Sequence, residues 1–254
     1  KRQGRYVLLS RIGAGGMAEV FHARSEGSRG VGKELVIKRI QPEHTADPEF
    51  VEMFVDEARV ALQLQHENVV QVFDFGEVDG RFFMAMERVD GMSVVQLARE
   101  QVRQGKLVPT GCALYIAWCV ARGLEYCHTL TSDAGAPLDL VHRDICPANV
   151  LLSRRGSVKI ADFGIARSAL RTVTTQGPTP KGHVAYMSPE QARSEEIGPR
   201  SDLFSLGVML HELLCGRRLF KHPTGSGSLR KVLEAEIPLP SSLNAELTLS
   251  LIHI

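Results

Sequence analysis

The sequence has almost no excess of charge of either sign, because its 30 Lys and Arg residues are balanced by 29 Asp and Glu residues. The resulting net charge of +1 at pH 7 gives no overall attraction for nucleic acid or for an anionic membrane surface. Uninterrupted apolar runs are also lacking, since polar residues break the longest one, Leu203–Cys215. We therefore expect no nucleic-acid partner and no membrane span in this chain.

Cysteine is scarce, and its spacing lacks any pairing pattern. The chain has 5 cysteines, an odd number, and none belongs to a Cys-x-x-Cys pair. This pattern indicates free thiols in a reducing compartment. Because the chain also opens without a secretory signal, we expect a cytoplasmic protein, which a segment outside this sequence could anchor to a membrane. A composition of 44% hydrophobic and 23% charged residues excludes a coiled coil, a collagenous repeat and a disordered tail.

Two regions of different character make up the 254 residues. The first contains short runs rich in Val, Ile and Phe separated by turns, which predict strands over Tyr6–Leu9, Glu19–Ala23, Glu34–Ile40, Val69–Phe75 and Arg81–Glu87. One helix interrupts them, beginning near Asp47, and Asp79-Gly80 fits a hairpin turn. After Gly91, helical periodicity predicts helices over Val94–Gln104, Cys112–Leu130 with Trp118 on its apolar side, and Leu203–Leu214.

A glycine-rich segment follows the first predicted strand and leads into the second: Gly13, Ala14, Gly15, Gly16, Met17, Ala18, Glu19 and Val20. Glycine lets a backbone approach phosphates closely and donate N–H groups to them. Taken alone, the segment fits a plain β-turn better.

A second candidate is a pair of charged residues, Lys38 at the end of an apolar strand and Glu57 on the predicted helix. Pairing with Glu57 could hold the Lys38 ammonium group on an anionic ligand. In isolation, each is an ordinary exposed charge.

An Asp and an Asn five residues apart, Asp144 and Asn149, stand between apolar flanks, and Asp162 follows a second apolar strand thirteen residues later. Carboxylate and amide oxygens are hard ligands that suit Mg²⁺. Two unrelated polar turns are a poor alternative, because both segments follow hydrophobic strands. We expect these residues to line one cleft.

Together these segments resemble a eukaryotic-type protein kinase domain of the bacterial serine/threonine branch. The matching pieces occur in the family's order: the glycine-rich segment, Lys38, Glu57, His142-Arg143-Asp144, Asn149, Asp162-Phe163-Gly164, Ser188-Pro189-Glu190 and Ser201-Asp202. The resemblance implies an α+β, bilobal fold over residues 6–254. A small β-rich N-lobe with one main helix would cover residues 6–86, a hinge 87–91 and a larger, mostly helical C-lobe 92–254. We expect this C-lobe to lack the family's last helices, and Thr248–Ile254 looks like foreign sequence.

The resemblance also implies roles for individual residues. Lys38, held by Glu57, would contact the α- and β-phosphates of ATP, and Asp144 would accept or orient the proton of a substrate hydroxyl. Asn149 and Asp162 would hold Mg²⁺, or Mn²⁺ in its place, and Asp202 would brace the catalytic loop. Besides the glycine-rich segment, the residues implied to contact the nucleotide are Ile12, Val20, Val36, Met86, Glu87, Val89 and Leu151.

The implied activity is transfer of the γ-phosphate of MgATP to Ser or Thr hydroxyls of protein substrates. The chain's own activation loop would be one substrate, phosphorylated within a transient homodimer. In that loop we expect Thr174 or Thr175 to carry the phosphate, with Arg143 and Arg167 binding it. The alternative is that the loop threonines only keep an exposed loop soluble.

Three positions differ from the family's pattern, and one of them, Val36 in place of the usual alanine, is only a minor steric change. Cys146 stands where family members usually carry a lysine that touches the γ-phosphate, and a neutral thiol cannot replace that charge. His183 stands where a threonine hydroxyl normally bonds the catalytic Asp, and its imidazole could donate instead. Cys146 and His183 are compatible with the alternative of a pseudokinase, a scaffold with the kinase fold but without efficient phosphate transfer. An active enzyme is favoured by the intact set Lys38, Glu57, Asp144, Asn149 and Asp162. A small-molecule kinase is a third alternative, although Ser188-Pro189-Glu190 favours protein substrates.

Overall fold

The structure is a computed structural model, and it describes residues 2–15, 18–26, 32–132, 134–163 and 183–247. The described residues divide into two compact units: the first contains those up to Asp90 together with Phe163, and the second contains those of 91–162 and 183–247. None of the described helices is both long enough and apolar enough to cross a lipid bilayer.

The first unit is built on an antiparallel sheet with the strand order β1-β2-β3-β4-β6-β5. Its strands are β1 (Arg2–Gln3), β2 (Tyr6–Ala14), β3 (Ala18–Ser25), β4 (Glu34–Ile40), β5 (Val72–Val78) and β6 (Arg81–Glu87). Between β4 and β5 lie a short 3-10 helix (Pro42–His44) and helix α1 (Pro48–Ala61). One side of α1 packs against the sheet through apolar residues that include Phe54 and Ala58, which are buried with Met84 of β6.

Local sequence signals account for most of these boundaries. The side chain of Asp47 accepts a hydrogen bond of 3.1 Å from the backbone N–H of Glu49 and so caps α1 where the sequence predicts the helix to begin. Asp79 and Gly80 have φ values of 51° and 70°, as the two-residue turn between β5 and β6 requires. Strand β5 begins later than predicted: Val69 and Val70 are buried but precede it, so their apolar character reflects burial and not membership of the strand.

The second unit is mostly helical among its described residues. Its helices are α2 (Val94–Arg103), α3 (Thr110–His128), α4 (Pro189–Arg193), α5 (Pro199–Cys215), α6 (Gly225–Glu234) and α7 (Pro240–Leu243). A 3-10 helix covers Val184–Tyr186. A small antiparallel sheet joins β7 (Gly91–Ser93), β8 (Val150–Ser153) and β9 (Val158–Ile160), with β8 in the middle.

Helices α3 and α5 form the centre of the second unit's core. Ile116, Val120 and Leu124 of α3 share one buried cluster with Leu206 and Met209 of α5. The expectation that Trp118 faces this core is wrong. Its side chain is 55% exposed, and the guanidinium of Arg122 lies 5.1 Å from the ring centroid. This cation over the indole face partly covers the exposed ring.

Candidate active site

Lys38 and Glu57 form an ion pair within the first unit. Lys38 lies on β4, where it pairs with Val20 of β3 and Met84 of β6, and Glu57 lies on α1. The Lys38 Nζ atom is 2.6 Å from Glu57 Oε1, and the two side chains are only 14% and 9% exposed. Low exposure strengthens the attraction between them relative to a surface pair. The structure thus brings these two residues together as the sequence predicts.

Asp202, near the start of α5, holds the backbone that leads to Asp144. Its carboxylate accepts hydrogen bonds of 2.8 Å from the backbone N–H groups of His142 and Arg143. The His128 side chain lies at the same distance from the carboxylate. Arg143 has a φ of 68°, a left-handed conformation that is costly for a residue with a Cβ. The buried Asp202 therefore fixes an unfavourable turn, which sets the direction of the next side chain, Asp144.

The Asp144 carboxylate is held from two sides. The Asn149 Nδ2 group donates to Asp144 Oδ2 at 2.7 Å and to the Asp144 backbone carbonyl at 2.9 Å. On the other side, His183 Nδ1 lies 2.9 Å from Oδ1 and 3.2 Å from Oδ2. An ionised carboxylate only accepts hydrogen bonds, so Nδ1 of His183 must carry a proton. This arrangement leaves Asp144 little freedom to rotate.

His183 also contacts the thiol of Cys146, whose Sγ lies 3.4 Å from His183 Nδ1. Burial by itself disfavours the charged imidazolium, but the hydrogen bonds with Asp144 and Cys146 outweigh it and raise the pKa of His183 to about 10. His183 is therefore a cation at neutral pH. The sequence-based expectation that its imidazole donates to Asp144 agrees with this geometry.

His142 links the Asp144 segment to the strand that precedes Asp162. Its Nδ1 accepts from the backbone N–H of Asp144 at 3.3 Å, and its Nε2 lies 3.3 Å from the carbonyl oxygen of Ala161. Burial lowers the pKa of His142, which opposes a charge on this ring. A neutral ring with Nε2–H satisfies both contacts, one as acceptor and one as donor.

Asn149 and Asp162 lie at the same end of a β-hairpin. Asn149 immediately precedes β8 and Asp162 follows β9; Val150 pairs with Ile160, and the N–H of Ala161 donates to the Asn149 carbonyl at 2.8 Å. Since the Asn149 carboxamide gives its Nδ2 to Asp144, its Oδ1 is the atom suited to a cation. Together with the exposed carboxylate of Asp162, this oxygen makes a hard donor set that fits a magnesium-like ion.

A second group of potential ligand atoms consists of one each from Asp144, Cys146 and His183, all within 4.8 Å of one another. The shared contacts to His183 Nδ1 already account for this proximity without an ion. Hydrogen bonding within the group therefore explains this cluster without a metal.

The glycine-rich segment forms the turn between β2 and β3. Gly13 pairs with Val20 across the two strands, and the N–H of Gly15 donates to the carbonyl of Ala18 at 2.9 Å. Glu19 forms ion pairs with Arg39 at 3.1 Å and with Arg11 at 3.3 Å.

Several residues singled out from the sequence lie outside the described residues: Gly16, Met17, Gly164, Arg167, Thr174, Thr175 and Thr248–Ile254.

The remaining residues predicted to contact the nucleotide occupy regular positions. Val36 of β4 pairs directly with Met86 of β6, and the side chain of Ile12 on β2 is 58% exposed. The backbone N–H of Glu87 donates to the Gln71 carbonyl at 2.8 Å, and Val89 stands two residues after Glu87. In the second unit, Leu151 lies on β8 opposite Lys159 of β9.

Sequence reasoning missed Gln191, which supports the Asp144 segment from another side. Its Nε2 donates to the Arg143 carbonyl at 2.9 Å. Gln191 also forms a capping box with Ser188 at the start of α4, through bonds of 2.9 and 3.3 Å. The Ser-x-x-Gln spacing is a recognised helix-start signal and could have identified this residue.

Comparison with known proteins agrees with the fold. The model of the protein kinase domain family matches residues 6–250. The tyrosine-protein kinase MasK of Myxococcus xanthus is 41% identical over 244 residues, which are 96% of this chain and 38% of that protein. The serine/threonine-protein kinase PrkC of Bacillus subtilis is 35% identical over 251 residues, which are 99% of this chain and 36% of that protein. The chain thus spans little more than a third of the length of these curated relatives.

A solved structure shows the same architecture. The kinase domain of Mycobacterium tuberculosis PknI is 28% identical and superposes with a TM-score of 0.68, covering 96% of this chain and 84% of that one. The predicted α+β, bilobal fold is confirmed, and so is the resemblance to bacterial kinases of the eukaryotic type. The chain belongs to the protein kinase domain family.

Proposed function

We propose that the chain is a serine/threonine protein kinase that transfers the γ-phosphate of MgATP to hydroxyls of protein substrates. The observation that supports this most is the Asp144 carboxylate, held between Asn149 at 2.7 Å and His183 at 2.9 Å. A carboxylate fixed in this way can accept or orient the proton of an attacking hydroxyl. Phosphoryl transfer requires little else of the protein than positioning and neutralisation of charge.

The family implies the use of ATP and a divalent metal, and we propose Mg²⁺, with Mn²⁺ as a substitute. Asn149 and Asp162 would hold this ion through their oxygens, and its positive charge would offset the charge of the transferred group. Lys38, fixed by Glu57, would bind the α- and β-phosphate oxygens as a point charge. Backbone N–H groups of the glycine-rich segment would add further donors.

A pseudokinase is less well supported than an active enzyme. The contacts between Lys38 and Glu57 at 2.6 Å and between Asn149 and Asp144 at 2.7 Å support an active enzyme, since a scaffold has no need of these four residues together with Asp162. Transfer to tyrosine is the second candidate, because the relative that is 41% identical is named a tyrosine-protein kinase. Small-molecule substrates have no comparable support among these relatives.

Regulation by phosphorylation of Thr174 or Thr175 is part of the proposal, with a transient homodimer as the arrangement for autophosphorylation. Its support is Arg143, whose Nε is buried and has no hydrogen-bond partner among the described residues. A buried guanidinium nitrogen without an acceptor suits an anionic group such as a phosphothreonine. A reducing, cytoplasmic location is proposed from the free cysteines.

The test is a transfer assay with γ-labelled ATP and matched peptides that differ only in carrying Ser, Thr or Tyr. We expect labelled phosphoserine and phosphothreonine, and label in the enzyme's own segment 172–179. Label on tyrosine alone would instead establish the second candidate. Absence of label on every peptide and on the enzyme, with ATP still bound, would establish the pseudokinase.

A further inference from the structure

His183 Nδ1 contacts two other side chains of the candidate active site. It lies 2.9 Å from Asp144 Oδ1 and 3.4 Å from Cys146 Sγ. The three residues are largely buried, with His183 and Asp144 side chains 20% and 11% exposed and Cys146 2% exposed. In such surroundings a hydrogen bond between a cation and a carboxylate is screened less than at the surface. The contact is therefore strong enough to fix the carboxylate.

Negative charge accumulates around His142, two residues before Asp144. Asp144, Asp162 and Asp202 all lie close enough to His142 to act on its charge. Bound phosphates would add further negative charge, and a transferring phosphoryl group needs positive charge nearby. Position 146 provides none, because its side chain is a thiol. The protonated His183 is bonded directly to the carboxylate that faces the reaction.

We propose that His183 is a positively charged positioning residue, whose imidazolium holds Asp144 in its reactive orientation and supplies the cation that Cys146 does not. This inference deepens the proposed kinase function and rests on it. Cys146 Sγ lies only 3.4 Å from His183 Nδ1. A lysine introduced at position 146 should therefore be able to supply the positive charge when His183 is replaced by a neutral residue.

The experiment compares steady-state phosphate transfer by the wild type, His183→Gln, His183→Lys and the double variant His183→Gln/Cys146→Lys. We expect His183→Gln to lower kcat at least ~10-fold with little change in KM for ATP, as for loss of one preorganised donor. His183→Lys and the double variant should both exceed His183→Gln by about 10-fold, because each restores the charge. A merely structural role would not be rescued by a cation at a different position.

His222→Gln is the matched control, since His222 is an exposed histidine bonded to Thr224 and lies outside the proposed machinery. It should leave kcat unchanged. Equal kcat in His183→Gln and wild type, or equally slow transfer by His183→Gln and both lysine variants, would overturn the inference. Failure of the wild type itself to transfer phosphate would instead overturn the proposed function.

If His183→Gln does not fold, a measurement on the wild type still tests the charge of His183. In the NMR spectrum of ¹⁵N-histidine-labelled wild type at pH 7.5, the His183 signal is identified as the one that is absent from the spectrum of His183→Lys. This signal should have the nitrogen chemical shifts of an imidazolium. Shifts of a neutral imidazole would contradict a positively charged His183.

Discussion

Lys38 and Glu57 lie 19 residues apart, yet their side chains meet at 2.6 Å with only 14% and 9% of their surfaces exposed. Helix α1 and strand β4 therefore share a charged contact in an otherwise apolar packing. Removing one partner of such a pair leaves the other charge poorly solvated, which costs more than the pair itself contributes.

We expect Glu57→Gln to reduce the free energy of unfolding by roughly 1.5–3 kcal/mol, the range for hydrogen bonds to charged groups. The matched control is Asp56→Asn, which removes the equally short but exposed pair with Arg59, whose side chains are 68% and 46% exposed. Asp56→Asn should lower the free energy of unfolding by less than about 1 kcal/mol. Urea unfolding of both variants measures the difference, and equal costs would contradict the special position of Lys38 and Glu57.

Asp202→Asn should loosen the segment that carries Asp144. The replacement amide turns one acceptor into a donor, opposite the N–H groups of His142 and Arg143 that now donate at 2.8 Å. We expect a loss of about 1–3 kcal/mol in stability and faster hydrogen exchange at these two amides. Asp79→Asn, at an exposed turn position where Asn tolerates positive φ, is the control and should change neither. Unchanged protection of the two amides in Asp202→Asn would show that another contact holds the segment.

The contact between His183 and Asp144 should make stability depend on pH. The pKa of His183 is raised to about 10 in the folded protein, whereas in the unfolded chain it returns to about 6.5. Folded protein therefore binds more protons between these values, so the contribution is complete below pH ~6.5 and is lost as the pH rises towards ~10. The stability difference between wild type and His183→Gln should shrink over this interval. A difference that stays constant in urea melts from pH 7 to pH 10 would rule out the charged contact.

Much of the fold was predictable because local signals are strong in this chain. Strands β4 and β6 have the predicted bounds, and Asp47 caps α1 where expected. Trp118 was misplaced, since helical periodicity reports which residues are apolar and not which of them the core buries. The contact of His183 with Asp144 spans 39 residues, and no local pattern gives its distance or charge. The Ser-x-x-Gln spacing marks Gln191 as part of a helix cap, but no local pattern gives its bond to the Arg143 carbonyl, 48 residues away.

The most direct test of the central claim, that Asp144 acts on a substrate hydroxyl in a working kinase, is phosphate transfer from MgATP by wild type and Asp144→Asn. We expect transfer by the wild type and a rate about 10²–10⁴-fold lower for Asp144→Asn, the range for loss of a positioned proton acceptor. Binding of ATP by the two proteins, measured by calorimetry, should be nearly the same. Near-parental transfer by Asp144→Asn would contradict the role of Asp144 and with it the proposed function of this site.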